Sequence, residues 1–297
     1  MKLKKYIFKI ICLLLIVCLG VYVCIFAIPN AQDWDIYKQK EINTKIYTVW
    51  HIETFEGGGK SRVQYLKNIA RSIEKENDGV LFMVSLISPQ ELSANIASTK
   101  PDIISFGFGV GKQILPILNE LNNTYEIRDN LIKSATYGNK LMALPYIASG
   151  YAKITHAGEI DEWIYGTTGY TSPVLSKTAT PISSQYEAYK QFIYNKKLAL
   201  IGTARDIFRV SNLNNIGRLN ASITPIKEHT DLIQYCGLST MDENTLNFLK
   251  CLLRNENQMK LCEYSLFSVK NNKIYSSGIY SDMENAIFSA TTPNVFE

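Results

Sequence analysis

Residues 46–62, Ile-Tyr-Thr-Val-Trp-His-Ile-Glu-Thr-Phe-Glu-Gly-Gly-Gly-Lys-Ser-Arg, constrain the fold of this chain more than any other stretch. Residues 46–52 are β-branched and aromatic, the composition of a buried strand. Gly57, Gly58 and Gly59 follow and allow a sharp turn or a close backbone approach. Ser61 with Gln64 three residues later has the pattern of a capping box. Val63, Leu66, Ile69, Ala70 and Ile73 then recur at helical spacing. A strand, a tight turn and a helix in that order predict an α/β unit, and ligands of such units sit at the carboxyl ends of the strands.

The pattern repeats twice. Asn77-Asp78-Gly79 stops the helix, and the apolar run at 80–86 reads as a second strand buried on both faces. Ser88-Pro89-Gln90-Glu91 opens another helix, with Ser as cap and Pro at the first helical position. Residues 102–106 form a third strand, ending in Gly107-Phe108-Gly109. Right-handed crossovers make β-α-β-α-β a parallel sheet with covered faces. Further on, helices are expected at 113–121 and 127–135, a turn at 137–139, and extended segments at 140–146 and 150–154. Residues 157–183, rich in Gly, Ser, Thr and Pro, read as loop. Then follow a helix at 184–195, a strand at 198–202 and a helix capped by Thr203 with Asp206. Strands are expected at 222–226 and 232–238, and helices at 242–254, 256–264 and 280–289.

Charge separates the start of the chain from its body. The net charge is +4, and Lys2, Lys4, Lys5 and Lys9 account for all of it. A neutral body argues against nucleic acid as a partner. Residues 10–29 are uncharged and mostly apolar, about the length of one bilayer span. Lysines before the run place the N-terminus in the cytoplasm and the body outside. A retained anchor is favoured over a cleaved signal peptide, because the run exceeds a usual signal core and its small-residue cleavage sites are weak. The expected localisation is the cell membrane, single pass, with the body extracytoplasmic.

Six cysteines give no CxxC, and three histidines are a poor inventory for zinc. Free thiols are the simpler reading; a Cys251–Cys262 bridge is the one pairing left open. Gly57-Gly58-Gly59-Lys60-Ser61 is not a phosphate loop, because Thr54 stands where the first glycine would be. Glu159, Asp161 and Glu162 offer carboxylates for glycoside hydrolysis, but read more simply as a solvated turn. No catalytic residue, metal or cofactor is expected.

Four segments together resemble the extracellular solute-binding proteins of bacterial carbohydrate ABC importers, the maltodextrin-binding-like family. They are residues 47–62 with the following helix; Pro101-Asp102-Ile103-Ile104-Ser105-Phe106-Gly107; Tyr137-Gly138-Asn139-Lys140-Leu141-Met142-Ala143-Leu144-Pro145-Tyr146; and residues 192–209. Residues 247–270, with Phe248, Leu249, Glu256 and Gln258, add a late match. The resemblance covers about residues 45–270. It implies a two-lobe periplasmic-binding-protein-like fold with ligand in the cleft. The chain departs from the family in size: only residues 157–183 separate His156 from the helix at Ser184, so the second lobe is expected to be reduced. The implied organisation is a basic start and anchor at 1–31 and a spacer at 32–44. Lobe 1 takes 45–147 plus 231–270, and lobe 2 takes 148–230 plus 271–297.

Sugar sites pair aromatic rings with planar polar groups. By position, Trp50, Glu53 and Phe55 follow the first strand. Ser105, Phe106 and Phe108 follow the third, Tyr146 lies at the crossover, and Arg205 and Asp206 open a helix. These are the expected ligand contacts. Core packing competes for Trp50 and Phe106, a capping or solvated role for Glu53, and a simple ion pair for Arg205 with Asp206. The resemblance implies a non-enzymatic binding protein that captures a carbohydrate by hinge closure and delivers it to the permease subunits of an importer. The alternative is a degenerate relative acting as a sensor or interaction module without transport.

Overall fold

The strand, turn and helix expected over residues 46–76 form as β1 (Lys45–Ile52), a turn at 57–59 and α1 (Arg62–Glu76). This computed structural model describes residues 13–19, 44–122, 125–167 and 175–297. Ser61 caps α1 by accepting from the Gln64 N–H at 3.4 Å. The capping box is only half made, because the Gln64 side chain donates to Asn68 instead. The buried stripe of α1 runs through Arg62, Tyr65, Leu66, Ile69, Ala70 and Ile73. Val63, expected on that stripe, is only half-buried. Arg62 takes the inward position because the sheet beneath offers it polar partners.

β2 (Val80–Ile87), α2 (Leu92–Ser98) and β3 (Ile103–Phe106) complete the expected run, with β1 parallel to both neighbours. β2 is not buried on both faces, however. It is the edge strand, and Leu81, Met83 and Leu86 are exposed. Nor does Ser88 cap a helix: its hydroxyl goes to Gln90, and residues Pro89–Glu91 form a 3-10 turn. α3 (Gly111–Ile114) and α4 (Asp129–Ser134) are shorter than expected. Pro116 lies in a 3-10 turn after α3, and the chain is extended by Leu118. The turn at 137–139 joins β4 (Thr136–Tyr137) to β5 (Lys140–Leu141), with Gly138 and Asn139 both left-handed, as a tight hairpin requires.

β6 (Leu144–Ala148) ends the first lobe's outward run, and β7 (Ala152–His156) begins a second sheet. Residues 157–183, expected as loop, contain two strands, β8 (Glu162–Gly166) and β9 (Thr180–Ile182). α5 (Gln185–Tyr194), β10 (Leu198–Gly202), α6 (Ala204–Asn215) and β11 (Ala221–Pro225) follow near their expected positions. The second sheet has the order β11-β7-β10-β8-β9, with β8 parallel to β10 and β9. Ala188 and Phe192 of α5 and Ile207 and Val210 of α6 are buried in the core.

β12 (Ile233–Leu238) returns to the first sheet, antiparallel between β3 and β6, giving the order β2-β1-β3-β12-β6. α7 (Glu243–Leu252), α8 (Asn255–Met259) and α9 (Gly278–Ser289) close the chain. α7 packs beside α1, and Phe248 meets Phe82 at 5.1 Å between ring centres. The C-terminal residues, assigned to lobe 2 from the sequence, touch the first sheet: Phe296 packs on Phe106 and the Val295 N–H bonds Ser134.

Two segments cross between the sheets side by side. Ser149 donates through its backbone to Leu232, Thr230 donates its hydroxyl to Ser149, and the Ile226 N–H bonds Tyr151. Tyr151 donates to Asp231 at 2.6 Å. α9 closes over this crossing: a Cβ at Gly150 would meet Ile287 at 2.9 Å and Met283 at 3.1 Å.

Cys236, Cys251 and Cys262 are free, so the Cys251–Cys262 bridge is not formed. Of the apolar run at 10–29 only residues 13–19 are described. They are helical and exposed. Residues 1–9, the rest of the run and 32–43 lie outside the described residues. Among the described residues no helix is long and apolar enough to cross a membrane.

Phe106 is fully buried among Tyr235 and Phe296. Phe106→Ala is expected to lower unfolding free energy by about 3–5 kcal/mol, read from the urea midpoint. A loss near zero would show that the ring is not core.

Candidate functional site

The carboxyl end of β1 rests on a buried polar network. His51 and Ser105 are register partners on adjacent strands, and the His51 Nδ1 lies 2.8 Å from the Ser105 hydroxyl. Tyr146 reaches the same hydroxyl at 2.7 Å from β6, and the Gln234 Nε2 at 3.0 Å from β12, next to the register shift between Gln234 and Tyr235. Gln234 also donates to the Ile52 carbonyl and accepts from the Arg62 Nη1 at 3.0 Å. Arg62 further donates to the Phe55 carbonyl and faces Glu53 at 3.4 Å. The Glu53 carboxylate lies 3.3 Å from the His51 Nε2. One proton assignment satisfies every member. Tyr146 donates to Ser105, Ser105 donates to His51 Nδ1, and His51 donates through Nε2 to Glu53.

Electrostatics agree with that assignment. Burial pushes His51 below its ordinary range, with Glu53 opposing, so the ring is neutral. For Glu53, burial acts upward. The hydrogen bond from His51 and the charge of Arg62 outweigh it and hold the carboxyl at about 2. Burial likewise lowers Arg62, with Glu53 opposing. A guanidinium stays protonated all the same.

Beyond Glu53 the chain leaves the first sheet and meets the second. Phe55 is buried in an apolar cluster with Tyr165, Leu175 and Ile201, and with Tyr151 and Leu232 of the crossing segments. Its ring also lies under the Arg62 guanidinium at 4.2 Å. The Glu56 N–H bonds the Gln185 side chain at 2.9 Å. Gly58 has φ +37°, and a Cβ there would fall 1.5 Å from the Tyr264 carbonyl, so only glycine fits. From the second lobe, β10 runs into α6, whose Thr203 and Asp206 form a reciprocal capping box. Burial raises the Asp206 carboxyl to about 6, against the Thr203 N–H and Arg209. Arg205 donates to the Gly58 carbonyl at 2.8 Å, and Arg209 lies 3.4 Å from Glu56 and 3.3 Å from Asp206.

These groups enclose a cleft of about 360 Å³. Glu53, Glu56, Lys60 and Arg62 line it from the first lobe, and Arg205 and Arg209 from the second. Among the described residues no aromatic ring lines it.

The expected site residues divide three ways. Glu53 and Arg205 line the cleft. Trp50, Ser105, Phe106 and Tyr146 do not contact it, because all four are buried in the first lobe: the rings pack in its core and the Ser105 hydroxyl serves the network. Phe55 is enclosed by the second apolar cluster, Asp206 is spent capping α6 and pairing with Arg209, and half-buried Phe108 is not among the lining residues. Arg205 and Asp206 are not ion-paired to each other; Arg205 points instead to Gly58. Glu56, Lys60, Arg62 and Arg209 were not anticipated. Arg209 sits four residues after Arg205, so both share a helix face, and that spacing was visible in the sequence.

A second cavity of about 370 Å³ lies on the second sheet. Trp163, Ile201 and Ile226 line it together with Lys153, Glu228 and His229. Among the described residues no group of three His, Cys, Asp or Glu is placed to hold a metal.

No family model matches the chain, and no curated protein is a match. Solved structures do match. The GacH receptor of Streptomyces glaucescens, solved unliganded and with acarbose, aligns at TM-score 0.60 and 14% identity, over 84% of this chain and 88% of that one. The sugar-binding protein MalE from Xanthomonas citri aligns at TM-score 0.59 and 6% identity, over 84% and 87%. The maltotriose binding protein of Thermus thermophilus, bound with maltotriose, aligns at 0.53 and 13%, over 84% and 89%. The chain shares with these structures a two-lobe, periplasmic-binding-protein-like α/β fold.

The network sets a pH response. Glu53 is depressed from 4.5 to about 2, so its contribution to stability is complete above pH 4.5 and disappears as pH falls toward 2. His51, depressed when folded, takes up its proton on unfolding, and stability is lost as pH falls below about 6.5. Asp206, raised to about 6, opposes the loss above pH 4, and Asp242, lowered to about 2, shares it below, so the test is a difference: between pH 4.5 and 3 the urea midpoint of Glu53→Gln is expected to fall less than that of the parent chain. Identical profiles for the two proteins would contradict the Glu53–His51–Arg62 arrangement.

Proposed function

We propose that this chain is the solute-binding component of an ABC importer, and that it captures a carbohydrate between its lobes by hinge closure. The observation that carries this reading is a cleft lined from both lobes, beside paired crossing segments, in the fold shared with sugar-binding receptors. Among the described residues, the bonds that cross the cleft include Arg205 to Gly58, Glu56 to Gln185 and Arg209 to Glu56. A ligand that touches both sides stabilises the closed arrangement by contacts absent when the lobes part. The basic residues ahead of the apolar run at 10–29 support a membrane anchor with an extracytoplasmic body. That position is where a receptor hands solute to permease subunits.

Thermal unfolding of the full chain in detergent, against mono- and oligosaccharides, tests the reading. One sugar class is expected to raise the melting temperature with concentration, as linkage requires. The same sugar is expected to lower the radius of gyration in solution scattering. A folded sample with no shift across the panel would sink the proposal. The anchor predicts that the expressed chain stays with the membrane fraction after an alkaline wash, whereas release into the supernatant would contradict it.

A further inference from the structure

Resting on the reading of this cleft as the solute site, we infer that the solute is an acidic sugar, bound through a carboxylate or phosphate group held by Arg205 beside the Arg209–Glu56 pair. Four cationic side chains, Lys60, Arg62, Arg205 and Arg209, line the cleft against two carboxylates, Glu53 and Glu56. Each carboxylate faces a cation. Glu53 faces Arg62 and His51, and Glu56 faces Arg209. Lys60 pairs with Glu263 at the surface. Arg205 is left with a single backbone carbonyl as its partner, and among the described residues it makes no ion pair.

The surroundings favour the same sign of charge. α1 points its N-terminus at the cleft, with Ser61 and Arg62 in the lining and no acidic residue in its first turn. The positive end of that helix, capped by the Ser61 hydroxyl and with no carboxylate in its own first turn, adds to the same sign. A guanidinium fork matches a carboxylate or phosphate in two parallel hydrogen bonds. Neutral oligosaccharides usually need a ring to stack on, and among the described residues none lines the cleft; Phe208 lies behind Gly59, and Tyr186 and Tyr189 lie against the Arg209 guanidinium. Trp50 and Tyr146 are in the core, and Phe55 is enclosed by the second apolar cluster. A cleft of about 360 Å³ is at the small end for organic ligands, which suits a mono- or disaccharide.

Calorimetry on the full chain in detergent separates the outcomes. The probes are galacturonate and digalacturonate, glucose 6-phosphate, the neutral sugars galactose and maltotriose, and inorganic phosphate alone. An acidic sugar is expected to bind at least about tenfold tighter than its neutral counterpart. Its affinity is expected to fall as salt is raised. The uronate and phosphate arms identify which anionic group is taken. Arg205→Gln is expected to weaken the acidic sugar about tenfold, and Arg205→Lys, which keeps the charge, to weaken it less. Unliganded melting curves of both variants establish that they fold.

Tighter binding of the neutral sugars would overturn this inference while leaving the solute-binding reading intact. Inorganic phosphate binding as tightly as the sugar acid would overturn it too. Unchanged affinity for the acidic sugar in the Arg205→Gln variant would remove Arg205 from the site and overturn the inference. Binding of no sugar of either kind would instead overturn the reading on which the inference rests.

Discussion

A guanidinium buried at the start of a helix has to be answered by its surroundings, and in this protein Arg62 organises those surroundings. An unpaired buried charge costs several kcal/mol, so the Arg62 partners are as much a part of the fold as its core. Gln234 from β12, the Phe55 carbonyl and the Glu53 carboxylate meet it from three directions. Gln234 and Glu53 are themselves tied through Ser105 and His51 to β3, β6 and β1. Four strands of the first sheet and the first turn of α1 are thereby fixed with respect to one another. The loop that leaves β1 is held at the Phe55 carbonyl, and the Phe55 ring is directed toward the second lobe.

That loop carries contacts between the lobes. Phe55 seats in the apolar cluster of the second sheet, Glu56 meets Gln185, and Gly58 lies close enough to Tyr264 to exclude any side chain. The second lobe answers with the start of α6, whose capping box keeps Asp206 inside and turns Arg205 and Arg209 outward to the cleft. The cleft is thus built where α/β architecture puts binding sites, at strand ends and helix starts. Its character is ionic because charged side chains line it while Trp50, Phe55 and Tyr146 are occupied in packing.

Much of the fold was legible because strand and helix periods were strong. Residues 46–52, 62–76, 103–106, 185–194 and 198–202 stood out by composition and capping residues. β8 did not, since Trp163, Ile164 and Tyr165 are a short apolar island in a stretch dominated by turn formers. Its pairing with β10 comes from tertiary contact. β2 looked buried because a continuous apolar run does not distinguish a central strand from an edge strand. The site was less legible still. A ring at a strand end packs inward or faces a cleft according to register, and Trp50, Phe106 and Tyr146 all pack inward. Arg62 was hidden because a sequence reads arginine as solvated, while its burial depends on Gln234, far along the chain.

Amide hydrogen exchange of the full chain, with and without the solute that gives the largest thermal shift, tests the central claim most directly. Binding in the cleft between lobes predicts added protection in two segments at once, residues 53–62 of the first lobe and 203–209 of the second. Protection confined to one lobe, or centred on the second-sheet cavity around Trp163 and His229, would contradict it.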